Sequence, residues 1–309
     1  MTVNDSTTAE DLVSALPLEP AETHLLVIQT VFLSVLMLVV ISGNAGLICV
    51  IACTQQLRSV THAFIVSLAL SDMLVGVVII PINFAIPTAM FHGYTTCMYA
   101  ACFTVVVALS SIANIFAVSI DRYLAVAHPL RYRSLMTPRN ASIAISTTWV
   151  VSIILGFLPL MGWRVTSSTC LRGETYHPGY VLLIFACGCL LPAWGSALIY
   201  AKVFAIAKET NQKITDTTAM ATGWRMRSNR KTLKTIAILM LYFQLSWLPV
   251  FISMVTDAFV SPRLLPSWAH ALFGTLAFVN SALDPLIYGY RNRDIRRSAV
   301  KCVTGLVSV

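Results

Sequence analysis

Charged residues are scarce in this 309-residue chain. Asp, Glu, Lys and Arg together make up 11% of it, against about 25% in soluble domains. Residues 93–120 contain none at all, although ~20 apolar residues already suffice for a helix to cross a hydrocarbon core of ~30 Å. A soluble core could bury one such stretch, but not seven in succession. The apolar runs are continuous and lack the period-2 alternation of a membrane strand, which excludes a barrel and leaves helices. No Lys or Arg occurs in the first 24 residues, and no early apolar run follows. A secretory signal peptide is therefore not expected, and the first span is expected to act as the targeting signal. The histidines lie near span ends or in loops without His-x-x-x-His spacing, and the eight cysteines have no metal-ligand spacing. An intramembrane enzyme would need metal ligands or a nucleophile–base pair. No internal repeat is visible, which argues against a transporter.

What is present is apolar: 57% of the residues, with a mean hydropathy of +0.77. Spans are expected at about 25–53, 63–90, 94–120, 141–163, 180–201, 235–259 and 265–288. Short loops join them, so the chain reads as an N-terminal segment (1–24), one seven-span domain (25–290) and a tail (291–309). The expected fold is an all-α membrane protein, a seven-transmembrane helix bundle with a short amphipathic helix after the seventh span. All Lys and Arg residues except Arg164, Arg172 and Arg263 fall on one set of loops and the tail. By the positive-inside rule that side is cytoplasmic, the N-terminus is outside, and the protein belongs in the plasma membrane. The net charge of +8 then reflects topology and anionic lipid headgroups, with no call for nucleic acid. Of the two N-x-S/T sequons, Asn4 lies outside and is expected to carry glycan. Asn140 lies inside and is not.

Cys49, Cys53, Cys102, Cys187 and Cys189 fall within spans and read as small packing residues. Cys97 opens the third span and Cys170 lies in the one long outer loop, and an oxidising compartment favours a bridge between them. Such a bridge would pin that loop over the bundle. Cys302 follows the basic run 291–301 and is a candidate for palmitoylation.

The triplet Asp121-Arg122-Tyr123 stands where the uncharged third span meets a basic segment. An acid–arginine pair there can hold its charges together in one state and release the Arg to a partner in another. Other spans carry comparable landmarks: Gly43-Asn44, Leu68-Ala69-Leu70-Ser71-Asp72, Trp149, Pro192 with Tyr200, Phe243 with Trp247-Leu248-Pro249, and Asn280 through Asp284-Pro285 to Tyr288. Together these resemble the class A (rhodopsin-like) G-protein-coupled receptors from Leu25 to Cys302.

Deep acids are costly in a membrane and functional by default. Asp72, Ser111, Asn280 and Asp284, with Asn44 nearby, belong at similar depth. The resemblance implies a sodium site there, while the residues alone also permit a polar network with a proton shared between the acids. No cofactor beyond that optional allosteric ion is expected. Pro249 and Pro285 permit kinks in the sixth and seventh spans. By resemblance, movement of Trp247 and Phe243 becomes an outward swing of the sixth span. Arg122, Tyr200 and Tyr288 then line an opening for the Gα C-terminus, with Leu130 as an apolar knob. The acid that the family places near the start of the sixth span is absent, since Asn229, Arg230 and Lys231 stand there. A weakly latched inactive state with appreciable basal activity is expected.

The ligand is less legible. Amine receptors carry an Asp where this chain has Thr104, and opsins a Lys that the seventh span lacks. Adenosine receptors resemble the chain in Phe64–Ala69, Thr137-Pro138-Arg139 and Met161-Gly162-Trp163. Their purine-binding positions correspond instead to Met254, Phe251, Ala277-Phe278 and Arg172-Gly173. The fatty-acid-ethanolamide receptors resemble it in Gly156–Leu160, His177-Pro178 and Leu245-Ser246-Trp247. An apolar slot is expected from Thr104, Val105, Ala108, Leu109, Trp247, Val250, Phe251, Met254 and Phe278, without charge along its wall. Asp72 and Asp284 are expected to be the only deep carboxylates. A lipid-like ligand and a purine-like one both stay open. Expected partners are a heterotrimeric G protein, with stimulatory Gα implied by the lipid-amide resemblance, membrane lipids, and arrestin, for which few tail hydroxyls (Thr304, Ser308) remain.

Overall fold

A computed structural model describes residues 20–85, 94–165, 176–216, 220–261 and 264–307, with only the helical course given for most of 207–236. Asn4, Cys170, Arg172, Gly173 and Ser308, and the side chains of Asn229, Arg230 and Lys231, lie outside what is described. The described residues are overwhelmingly helical, and the single β-bridge joins Arg164 to Tyr176.

The first span is the helix Pro20–Cys53. It buries Leu33, Leu36, Val40, Leu47 and Ile51 at helical spacing while Val31, Val35 and Leu38 face outward. Apolar residues all round are compatible with lipid on one side and protein on the other. The second span begins at Val60–Leu74, passes through a π turn at Val75–Ile79 and continues as Ile80–Ala85. The third is Tyr94–Ala127 and the fourth Pro138–Phe157, followed by a 3₁₀ turn, Leu158–Met161. The fifth runs Pro178–Phe185, a second π turn Ala186–Leu190, then Leu191–Asp216. The sixth is Met220–Phe259, the seventh Ser267–Arg291, and the tail helix Arg293–Val307. Six described segments are long and apolar enough to cross a membrane, and the expected sixth span lies within Met220–Phe259.

Local chemistry sets several starts. Ser59 accepts from the His62 amide and Thr137 from the Asn140 amide, while Pro138 and Pro178 occupy first-turn positions where a missing N–H costs nothing. Three boundaries differ from the sequence reading. Asp121-Arg122-Tyr123 lies inside the third helix, which continues to Ala127, rather than ending it. The basic segment 202–234, expected as a short loop, is mostly helical extension of the fifth and sixth spans. The tail helix extends to Val307. Each extension leaves the apolar region, so hydropathy could not locate its end.

The third span packs against the second, fourth, fifth and sixth and is the most buried of the six apolar segments. Val105, Ala108, Leu109, Ile112, Ile115 and Val118 put it in the main core. Trp149 on the fourth span donates from Nε1 to Ser67 Oγ on the second at 3.0 Å. The bundle therefore has a basic end, around Arg122, and an opposite end, around Asp257 and His270.

Candidate functional site: an outer cavity, a buried acid pair and a switch at the basic end

The cavity lies among the third, fifth, sixth and seventh spans and is also lined by Gln29 and Leu33 of the first and Ile82 and Asn83 of the second. Thr104, Val105, Ala108, Leu109, Trp247, Val250, Phe251, Met254 and Phe278 all line it, so the structure brings the nine expected residues to one wall. Cys97 also lines it and is disulfide-bonded, while its expected partner, Cys170, lies outside the described residues. Thr104 hydrogen-bonds its hydroxyl to the Ala100 carbonyl at 2.9 Å, which turns that donor away from the cavity.

An aromatic column forms the inner end. Phe243 and Trp247 stack at 5.8 Å with an 18° interplanar angle, and Trp247 meets Phe251 at 6.2 Å. Phe251 meets Phe185 edge-on at 6.1 Å. The fifth span makes room for it with Gly188 in the π turn, where a Cβ would sit 2.7 Å from Phe251 Cζ. Pro249 and Pro285 both lie inside continuous helices.

The sequence reading missed the polar rim of this cavity. Asp257, on the sixth span, and His270, on the seventh, both line it. Asp257 Oδ1 lies 3.6 Å from His270 Nε2, within ion-pair range but too long for a hydrogen bond. The expectation of an uncharged wall is thereby overturned, because Asp257, 6% exposed, is a buried acid at the outer end of that wall. Asp257 falls within the expected sixth span, two residues from its end, and was not singled out. The spacing 247, 250, 254, 257 was the available signal, since it repeats every three to four residues along one helical face.

Below the aromatic column lies the polar cluster. Asp72, Ser111, Asn280 and Asp284 are all buried, as are Asn44, Ser71 and Ser281. Ser281 donates to Asp72 Oδ1 at 2.8 Å, whereas Ser111 reaches that oxygen only at 3.5 Å and Ser71 Oγ at 3.1 Å. Asn44 Nδ2 donates to the carbonyls of Val40 and Ser281, each at 2.9 Å. Ser281 was not singled out from sequence, yet it holds the closest contact to Asp72. Asp72 Oδ2, both Asp284 oxygens and Asn280 Oδ1 are buried without a donor among the described residues. A cluster of oxygens with excess acceptor capacity is the chemistry that a hard cation or a shared proton satisfies.

At the basic end, Asp121 binds Arg122 through Nε at 2.8 Å and Nη2 at 2.6 Å. Arg122 Nη2 also donates to Thr61 Oγ1 and, at 3.1 Å, to the Tyr132 hydroxyl. Thr61 and Tyr132 each donate to Asp121, at 2.7 and 2.8 Å. Burial and the hydrogen bond to Asp121 push the Tyr132 hydroxyl above its ordinary pKa, so it remains a donor. Tyr123 packs edge-on against His128. Leu130 is 97% exposed. Tyr200 lies 3.4 Å from Ser119 Oγ, and Tyr288 is buried with its hydroxyl unpartnered among the described residues. Cys302 is a partly buried free thiol on the tail helix.

Comparison with known proteins shows the family of the chain. Residues 43–288 match the family described as 7 transmembrane receptor (rhodopsin family). The chain is similar to adenosine receptor A2b of Gallus gallus, 31% identical over 299 residues, covering 86% of this chain and 85% of that protein. It is 30% identical to adenosine receptor A2b of Homo sapiens over 289 residues, covering 85% and 86%. Histamine H2 receptor of Rattus norvegicus is 31% identical over 278 residues, covering 86% and 76%. The chain belongs to the rhodopsin family of seven-transmembrane receptors, multi-pass plasma-membrane proteins that signal through heterotrimeric G proteins and are not enzymes.

Proposed function

We propose that this receptor responds to a lipid-like ligand held in the outer cavity, signals through stimulatory Gα, and is appreciably active without ligand. The observation that carries the reading is the apolar inner wall. Val105, Ala108, Leu109, Val250, Phe251, Met254 and Phe278 meet in one cavity floored by Trp247. An apolar chain gains about 25 cal/mol per Å² buried there, whereas a nucleoside would leave amines unpaired at ~1–3 kcal/mol each.

Basal activity is supported by the locality of the latch. Among the described residues, Arg122 bonds only to Asp121, Thr61 and Tyr132, on the second and third spans and the loop between the third and fourth. None of these bonds restrains the sixth span. The basic end is read as cytoplasmic and the cavity end as outer. A ligand pressing on Trp247 would then act on the stacked Phe243 and through it on the inner half of the sixth span, opening the surface bearing Arg122, Tyr200, Tyr288 and Leu130. Asp72, Ser111, Asn280 and Asp284, with Ser281, would hold a sodium ion, which supplies positive charge between the two carboxylates.

The test is cyclic AMP in cells expressing the chain, before and after oleoylethanolamide, with Arg122→Ala as control. Elevated basal cyclic AMP that climbs with the lipid and vanishes in the control is expected. A flat response at verified surface expression overturns the assignment. A purine ligand is the second reading, favoured by the likeness to proteins named adenosine receptor A2b. Adenosine in the same assay decides between them.

A further inference from the structure

We propose that Ser134 is a phosphorylation site whose availability to an arginine-directed serine kinase depends on the Asp121–Arg122 latch, so that the receptor is marked when the latch opens. The inference rests on the reading of the basic end as cytoplasmic and adds a covalent modification to it.

Three observations carry it. Ser134 stands in the run Arg131-Tyr132-Arg133-Ser134-Leu135, in which every residue but Tyr132 is exposed. No acid follows Asp121 in the chain before Glu174, so the loop carries no negative charge of its own and suits an enzyme with an acidic peptide cleft. Second, the serine is exposed but its backbone is not extended. Tyr132–Leu135 is one helical turn. The Arg131 carbonyl accepts the Ser134 hydroxyl at 2.8 Å and the amides of Ser134 and Leu135 at 3.1 and 3.0 Å. A kinase cleft takes its peptide extended, so this turn has to unwind first. Third, Tyr132 holds the turn closed. Two residues advance about 200° around a helix, so Ser134 faces solvent while Tyr132 faces the third span. There its hydroxyl donates to Asp121 Oδ1 at 2.8 Å and accepts from Arg122 Nη2 at 3.1 Å. Tyr132 lies between Arg131 and Ser134 in the chain, and drawing that stretch into a cleft breaks both bonds. A single turn has little cooperative stability of its own, so release of Arg122 to a partner frees it.

In the transfer, Ser134 Oγ attacks the γ-phosphorus of ATP. The new O–P bond replaces the bond to the bridging oxygen, ADP leaves, and the hydroxyl proton passes to a carboxylate of the kinase. The product carries about −1.5 to −2 charges at pH 7, four positions from Leu130, which is 97% exposed. Charge that must be desolvated beside an apolar docking residue weakens docking, so marking an open receptor turns it down.

The experiment uses the full chain purified into lipid nanodiscs, with magnesium ATP and, in separate arms, two arginine-directed kinases. These are the catalytic subunit of the cyclic-AMP-dependent protein kinase and the calmodulin-dependent kinase that reads an arginine three residues before serine. Phosphopeptide mapping by mass spectrometry follows the rate at Ser134. The wild type is expected to acquire phosphate there, Arg131→Ala to acquire it several-fold more slowly, and Ser134→Ala to show none at that position. Tyr132→Phe keeps both arginines and the serine but removes the two hydroxyl bonds, and should be marked about 2- to 10-fold faster. Asp121→Ala opens the same latch without altering residues 131–135 and should shift the rate the same way. It keeps the test decisive if the first variant changes recognition or folds poorly. No phosphate at Ser134 in the wild type or either latch variant, with either kinase, overturns the site. Equal rates in the wild type and both latch variants overturn its dependence on the latch. No G protein takes part, so failure of the coupling reading leaves these results standing.

Discussion

The Tyr132 hydroxyl donates to Asp121 Oδ1 at 2.8 Å and accepts from Arg122 Nη2 at 3.1 Å, so one loop residue ties both members of the ion pair. Tyr132→Phe removes both bonds without altering the ring, at a net cost of about 0.5–1.5 kcal/mol to the latched state. Basal cyclic AMP should rise a few-fold at equal surface expression. The elevated pKa of Tyr132 means its proton is retained at physiological pH, so the wild-type basal signal should not vary through titration of this group between pH 6 and 8. An unchanged basal signal in the variant would show that the ion pair holds without the loop.

Ser281 and Ser111 leave one oxygen of Asp72 and both of Asp284 without donors among the described residues. If the cluster takes sodium, replacing potassium chloride by sodium chloride at constant ionic strength should raise the melting temperature of the purified receptor. Asp72→Asn should abolish that rise. A sodium effect that persists in the variant would place the ion elsewhere, and equal melting temperatures in the two salts for the wild type would favour the shared-proton network.

Gly188→Ala should lower the melting temperature and weaken the ligand response together. The added methyl would sit 2.7 Å from Phe251 Cζ and 3.1 Å from its Cε1, forcing the ring toward the cavity at a cost of roughly 1–3 kcal/mol. Pairing it with Phe251→Leu, which shortens the clashing side chain, should restore much of the stability. Lack of any rescue would sink the packing explanation.

Trp149→Phe deletes the 3.0 Å bond to Ser67 while keeping most of the ring. A loss near 1 kcal/mol is expected, read as a small fall in melting temperature with ligand potency unchanged. A large shift in potency would instead mean that the contact between the second and fourth spans participates in activation.

The sequence by itself determined the class and the depth of most parts. Seven apolar runs leave a helical membrane bundle as the fold, since lipid requires every backbone group to be satisfied within its own segment. Periodicity put Val105, Ala108 and Leu109 on one side of the third span and Val250 and Met254 on one side of the sixth, because a helix of known phase fixes which residues share a face; that the two sides meet in one cavity was implied by the family resemblance and is decided by packing. Tertiary structure decided what depends on distances between spans. Asp257 and His270 are thirteen positions apart in the chain, and only the packing of the sixth span against the seventh makes them a pair. Ser281 displaced Ser111 as the closest hydroxyl to Asp72 because rotation of the seventh span, invisible to hydropathy, sets that 2.8 Å contact. Tyr132 joined the Arg122 cluster for a similar reason: the loop folds back as a short helix, Tyr132–Leu135, under the third span. Composition and period report each helix's relation to lipid and core, while the chemistry at the sites depends on side chains from different helices meeting within about 3 Å.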